Sequence, residues 1–164
     1  MIADEKPTRL YFKSYMQLIR NSVGSNMFRN FYVKTDSQGE FDAFGDGDNS
    51  CAFYVSSVLV IFGKIGHVHG LISSVVEDLK KSGWREVSEL QSGDVVVWEA
   101  QEFADGPHGH IGFYLGDNRA ISTSVRAKTP VEHDVNFGEA KRKITQVFRF
   151  DNWEEETSAS GVAR

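Results

Sequence analysis

Covalent chemistry in this sequence falls first to its single cysteine, Cys51, and then to a histidine on an alternating strand, His110. A cysteine attacks carbonyl carbon as the thiolate. A helix N-terminus, a nearby imidazolium and partial exposure each favour that form. Cys51 opens an apolar segment reaching Phe62 and follows a Gly/Asp-rich stretch, Asp36 to Ser50. Asp48, Asn49 and Ser50 are all good helix N-caps, so the pattern predicts Cys51 in the first turn, at the positive end of the helix dipole. A lone cysteine is more often an inert buried thiol. The polar loop before this one and the histidine downstream favour the reactive reading.

In the run His110-Ile111-Gly112-Phe113-Tyr114-Leu115 side chains alternate. His110, Gly112 and Tyr114 share one face; Ile111, Phe113 and Leu115 share the other, the expected core face. Gly112 leaves space beside the imidazole for a substrate. A hairpin follows. A three-residue loop, Gly116-Asp117-Asn118, pairs Gly112 with Ser122 and keeps Ile121 beside Phe113. A two-residue loop, Asp117-Asn118, swaps the faces. The first register keeps apolar with apolar, and it offers Ser122 or Ser124 to orient the imidazole.

The elements that must hold these groups follow from periodicity. A helix is predicted over about 8–23, with a stripe of Phe12, Met16, Ile19 and Val23. A second runs from Cys51 to Gly63 or Gly66. It is apolar nearly all round and therefore central. A third spans about 68–82, on Val68, Leu71, Ile72, Val75, Val76 and Leu79. Strand patterns then take over at 95–99, 110–115, 119–125, 130–135 and 144–150. Helices followed by a mostly antiparallel sheet of about five strands make an α+β fold, with the helix carrying Cys51 packed on the sheet. Residues 1–153 read as one domain and 154–164 as a disordered tail.

The chain has 164 residues and a net charge of -5. That balance gives no global reason to bind nucleic acid. The basic run Lys141-Arg142-Lys143 reads as a solvated loop. No apolar stretch approaches the roughly 20 residues of a membrane span, and the N-terminus lacks the apolar run of a secretory signal. The sequence does not fix the compartment; without a signal the chain is expected to be cytoplasmic or exported by a signal-independent route. One cysteine excludes an internal disulfide, and no cofactor is called for.

Three segments in order resemble the NlpC family of cell-wall cysteine peptidases: Asn49-Ser50-Cys51-Ala52-Phe53-Tyr54-Val55, Leu90-Gln91-Ser92-Gly93-Asp94-Val95, and Gly109-His110-Ile111-Gly112-Phe113-Tyr114-Leu115-Gly116. The resemblance implies a papain-like fold and hydrolysis of amide bonds in peptidoglycan stem peptides. Carried over, Cys51 is the nucleophile, His110 the general base, and Ser122 stands at the third catalytic position. Tyr32 sits where the family has a site tyrosine, and His133 is a reserve third residue. Two departures stand out: Ser50 replaces the family's Asp, and Phe53 and Tyr54 replace small residues. The CHAP amidases share the Cys–His order and rank second.

Other classes remain open. His67/His69 and His108/His110 form two His-x-His pairs that could bind a transition metal. A non-catalytic peptide- or glycan-binding domain of the same fold could use Trp84 and Trp98 as platforms, although both read more readily as core.

Overall fold

The computed structural model describes residues 8–104 and 106–154; the expected disordered tail, beyond Glu154, lies outside them. Three helices, α1 (Tyr11–Asn21), α2 (Cys51–Ile61) and α3 (Ile72–Lys81), accompany eight strands. These are β1 (Tyr32–Thr35), β2 (Gly39–Asp42), β3 (Arg85–Glu86), β4 (Val95–Phe103), β5 (Gly106–Gly116), β6 (Arg119–Ser124), β7 (Thr129–Asp134) and β8 (Ile144–Arg149). β1 and β2 form a separate hairpin. The rest make one six-stranded sheet in the order β3-β8-β4-β5-β6-β7, antiparallel at every pairing. The fold is α+β, and all five expected strands are present. β3 was not foreseen, since two residues leave no alternating pattern. Nor was β2, which lies inside the stretch read as loop. Among the described residues no helix is long and apolar enough to cross a membrane.

α2 is central because most of its side chains are withdrawn from water, although Ile61 at its end is exposed. Ala52, Tyr54, Val55, Ser56, Val58 and Leu59 are all buried, in a core shared with α1, α3 and Val95, Val97, Ile111, Phe113, Leu115 and Phe148 of the sheet. Its two buried hydroxyls are satisfied: Ser56 Oγ donates to the Ala52 carbonyl at 2.7 Å, and Tyr54 OH shares a hydrogen bond with Ser22 Oγ at 2.7 Å. α1 packs through Tyr15 and Ile19. Val23, placed in the stripe by spacing, is exposed. Tyr15 replaces it as the anchor: its hydroxyl donates to the Gly93 carbonyl at 2.9 Å, and its ring stacks on Trp153 at 4.1 Å. Val68 and Leu71 are likewise exposed, ahead of the true start of α3.

The opposite face of the sheet carries a smaller cluster of Val96, Trp98, Tyr114, Ala120 and Val135. Trp98 and Trp84 are buried, and their indole N–H groups donate to the carbonyls of Val135 and Lys64. Both are core residues, as their sequence context favoured, and the alternative of ligand platforms is not met.

The β5–β6 hairpin combines both predicted loops. Its tip is the two-residue turn Asp117-Asn118, with φ of 50° and 57°, the left-handed pair of a type I′ turn. A register shift between Tyr114 and Gly116 then adds one residue, so that Phe113 faces Ile121 and Tyr114 faces Ala120. The bulge keeps apolar residues on the core side despite the tight tip. Ser92 Oγ donates to the Leu115 carbonyl at 2.8 Å within it.

Gly112 serves a different end from the one expected. A Cβ there would lie 2.5 Å from the Ile121 carbonyl oxygen, 2.7 Å from Ser122 Cβ and 3.2 Å from the Trp98 ring. Its missing side chain admits β6 and Trp98, not a substrate. Gly112→Ala should therefore cost about 1–3 kcal/mol by overpacking, read as a clear fall in Tm. A Tm within about 1 °C of wild type, less than such a cost implies, would contradict this close approach.

Candidate active site

The α2 tip is built to present backbone amides. Ser50 stands at the N-cap position, but its side chain makes no cap hydrogen bond. Instead Ser50 Oγ donates back to the Gly47 carbonyl at 3.3 Å. The first-turn amides thus keep their hydrogen-bonding capacity. Those of Cys51 and Ala52 face the Cys51 sulfur, and the N–H of Ile111 joins them from β5.

Cys51 is half-buried and packs at the margin of the main core. Burial pushes its thiol above the ordinary value. The amides of Ile111, Ala52 and Cys51 and the Arg142 charge pull it down without winning. The sequence expectation of a thiolate favoured by the helix terminus is not met: desolvation outweighs the amides at that terminus, and the balance favours the thiol.

His110 lies in a polar chain across β5, β6 and β7. His110 Nε2 is 2.8 Å from Ser122 Oγ, Ser122 Oγ is 2.7 Å from His133 Nε2, and His133 Nδ1 is 2.7 Å from the Asp134 carbonyl oxygen. The proton positions follow from one end. A carbonyl only accepts, so His133 Nδ1 carries hydrogen. In the neutral ring Nε2 then accepts, and Ser122 spends its single hydroxyl proton on it. Ser122 Oγ must accept from His110 Nε2–H, which leaves His110 Nδ1 with the basic lone pair. Burial, with help from the charges of Arg142 and His133, brings His110 down to about 3, against the Thr123 carbonyl. Burial also lowers His133. Both rings are therefore neutral near pH 7.

The histidines have aromatic walls. Phe137 stacks on His133 at 4.1 Å and lies 5.7 Å from the His110 ring. Trp98 lies 5.8 Å from each histidine ring. The imidazole leaves β5 on the face carrying Trp98. The thiol approaches from the side of α2. What they share is the His110–Ile111 peptide, whose N–H faces the sulfur.

The other candidates divide sharply. Ser122 is buried and at the centre of the chain of hydrogen bonds, while Ser124 is not part of it. His133, the reserve candidate, is its third member. Tyr32 is 73% exposed on β1 and stands apart from that chain. Its neighbour Phe31, itself 45% exposed, stacks on Phe44 and meets Phe53 of α2. His69 Nε2 is paired with Asp78 at 2.7 Å. Asp78 also accepts from the amides of Gly66 and His67 and from Ser82. Against burial, these bonds hold it down to about 2. Among the described residues no group of three or more His, Cys, Asp or Glu side chains could hold a metal ion.

Sequence reasoning missed Arg142, which it placed in a solvated run. Arg142 is 7% exposed; its Nε donates to the Glu99 carbonyl at 2.8 Å and its Nη2 to the His108 carbonyl at 2.6 Å. Both carbonyls flank the irregularity in the β4–β5 ladder between Trp98 and Gln101. A bulge of this kind leaves no mark in hydrophobic alternation.

A family model described as bacteriophage peptidoglycan hydrolase matches residues 46–152, from the loop before Cys51 through β8. The chain belongs to that family. No curated protein matches it.

Two measurements check the electrostatics. Alkylation of Cys51 by iodoacetamide should still be accelerating above pH 9, the ordinary thiol value; a plateau reached below pH 8 would contradict a buried thiol. His110 titrates near 3 when folded, against an ordinary 6.5. The unfolded chain therefore takes up the proton first, and stability falls as pH drops from 6.5 toward 3. His110→Gln should flatten that acid limb in urea titrations; an unchanged slope would refute the assignment.

Proposed function

We propose that this peptidoglycan hydrolase is a cysteine amidase of papain-like, NlpC type that cleaves amide bonds in stem peptides, with Cys51 as nucleophile and His110 as general base. The observation that carries the reading is the Cys51 sulfur lying against the N–H of the residue that follows His110. The order of cysteine helix, then histidine strand, also supports it.

In this reading each group takes one role. His110 Nδ1 takes the thiol proton as sulfur attacks the scissile carbonyl carbon. The carbonyl oxygen becomes an oxyanion, stabilised by the uncapped first-turn amides of α2, that of Cys51 first. The tetrahedral adduct collapses: the C–N bond breaks, and the amine leaves with the proton held on His110. Water then attacks the thioester with His110 again as base, releasing the acid and restoring the thiol. Ser122 and His133 hold the imidazole in the required tautomer throughout. A resting neutral pair means that deprotonation accompanies attack instead of preceding it.

Digestion of purified peptidoglycan, with released fragments read by mass, tests the reading. Wild type should release peptides, Cys51→Ala should release none, and His110→Ala should lose at least about a hundredfold in rate, the scale of general base catalysis. Activity retained by Cys51→Ala would overturn it. The fragment masses separate cleavage within the stem from cleavage at the sugar–peptide amide, as a CHAP-type amidase would give. Ser122→Ala should lower kcat about tenfold or more with KM little changed, and His133→Ala should fall in the same direction by less. A Ser122→Ala enzyme with wild-type kcat would remove the relay.

A further inference from the structure

Phe137 holds a backbone that few aromatic residues adopt. Its φ of 59° and ψ of 33° are left-handed, a region that favours glycine and asparagine over bulky side chains. The turn around it enforces that shape. Asp134 Oδ1 accepts from the amides of Asn136 at 2.8 Å and Gly138 at 3.3 Å, and the Asn136 carbonyl accepts from the Arg142 amide at 2.9 Å. Such strain persists where the surroundings over-determine it, and it collects at functional sites. Here it lets one residue reach the end of the hydrogen-bonded row twice. The Phe137 N–H donates to the Asp134 carbonyl oxygen at 2.8 Å, the same oxygen that takes the His133 Nδ1 proton. The Phe137 ring lies 4.1 Å from the His133 ring with 21° between their planes, and meets the His110 ring at 5.7 Å and 62°. Trp98 backs it at 5.2 Å. A residue that only filled space beside Trp98 would need neither the strained backbone nor contact with both imidazoles.

We propose that Phe137 is a positioning residue of the site, which fixes the planes of both imidazoles with its ring and the acceptor at the end of their hydrogen-bonded row with its N–H. This rests on the reading of His110 as general base. A hydrogen bond sets distance more tightly than tilt, so a ring held only by its nitrogens can still rock. The face of Phe137 stops His133 from tilting, and its edge-on contact closes one side of His110. The Asp134 carbonyl, holding two N–H donors, cannot swing away. With that acceptor fixed, His133 keeps its proton on Nδ1, Ser122 keeps donating to His133, and His110 keeps Nδ1 free for the thiol. Without the ring, water reaches the open face of His133 and competes for Ser122 Oγ, and the proton order is no longer single. Phe137 touches no reacting atom; it acts through His133 and Ser122.

The test reads the tautomers directly, by nitrogen NMR of the histidine rings in the full chain near pH 7, with thermal unfolding to check each variant. Wild type should show a protonated Nε2 at His110 and a protonated Nδ1 at His133. Phe137→Leu keeps an apolar side chain without a flat face. Both rings should then give averaged nitrogen shifts, and kcat on peptidoglycan should fall about tenfold with KM within about twofold. Phe137→Tyr keeps the flat ring and should restore the tautomers and at least about half of kcat. Single tautomers in a folded Phe137→Leu chain, or averaged ones with unchanged kcat, would overturn the proposal. A Phe137→Tyr chain as impaired as Phe137→Leu would do the same. If Phe137→Leu does not fold, Phe137→Gly decides, because glycine takes the left-handed turn without strain; intact tautomers there overturn the proposal. The tautomers are read without substrate, so failure of the hydrolase reading, seen as active Cys51→Ala, is a separate result.

Discussion

Burial of most of α2 is the constraint from which the site follows. A helix with no polar face has only its ends to offer. The buried residues from Ala52 to Leu59 fix its depth against β4, β5 and β8, and depth fixes where the first turn stops. It stops with Cys51 against the β5 backbone. The uncapped amides at that point are the one polar surface the helix has to spare. A side-chain cap from Ser50 would have stabilised α2 by about 1 kcal/mol and occupied an amide there. The sequence forgoes that bond.

Depth also sets the electrostatics. The same packing that positions sulfur removes water from it, so burial raises the thiol and lowers the imidazole. Neither group is ionised at rest. In such surroundings weak partners count for more than in water. A serine is a modest orienter by itself, yet Ser122 sits between two imidazoles whose outer end is fixed by the Asp134 carbonyl. The direction of every proton in that row follows from one acceptor that cannot donate.

Much of this could be read from residue order, for identifiable reasons. α2 and its first residue were legible because a polar loop gives way abruptly to an apolar run. The side of β5 taken by His110, and Ser122 as one of two possible partners, were legible because one of the two registers keeps apolar residues together. What hid were features whose signal is tertiary. Tyr15 looked off-stripe because its partner, Trp153, comes from the far end of the chain. Gly112 looked like room for a ligand, but the space belongs to β6 and Trp98. Arg142 looked solvated because a Lys-Arg-Lys run carries no trace of the unpaired carbonyls it meets. The order of the charges at Cys51 was misjudged for the same reason: burial is a property of the assembled core.

His133 belongs to β7, the outermost strand on its side of the sheet. That strand is held by its ladder to β6, by the Gly24 amide on the Pro130 carbonyl and by the exposed ion pair Arg119–Glu132. Edge strands fray before central ones. The far end of the hydrogen-bonded row from His110 is thus anchored at a rim of the sheet. Loosening of that strand frees the His133 end of the row without disturbing the helices or the inner strands.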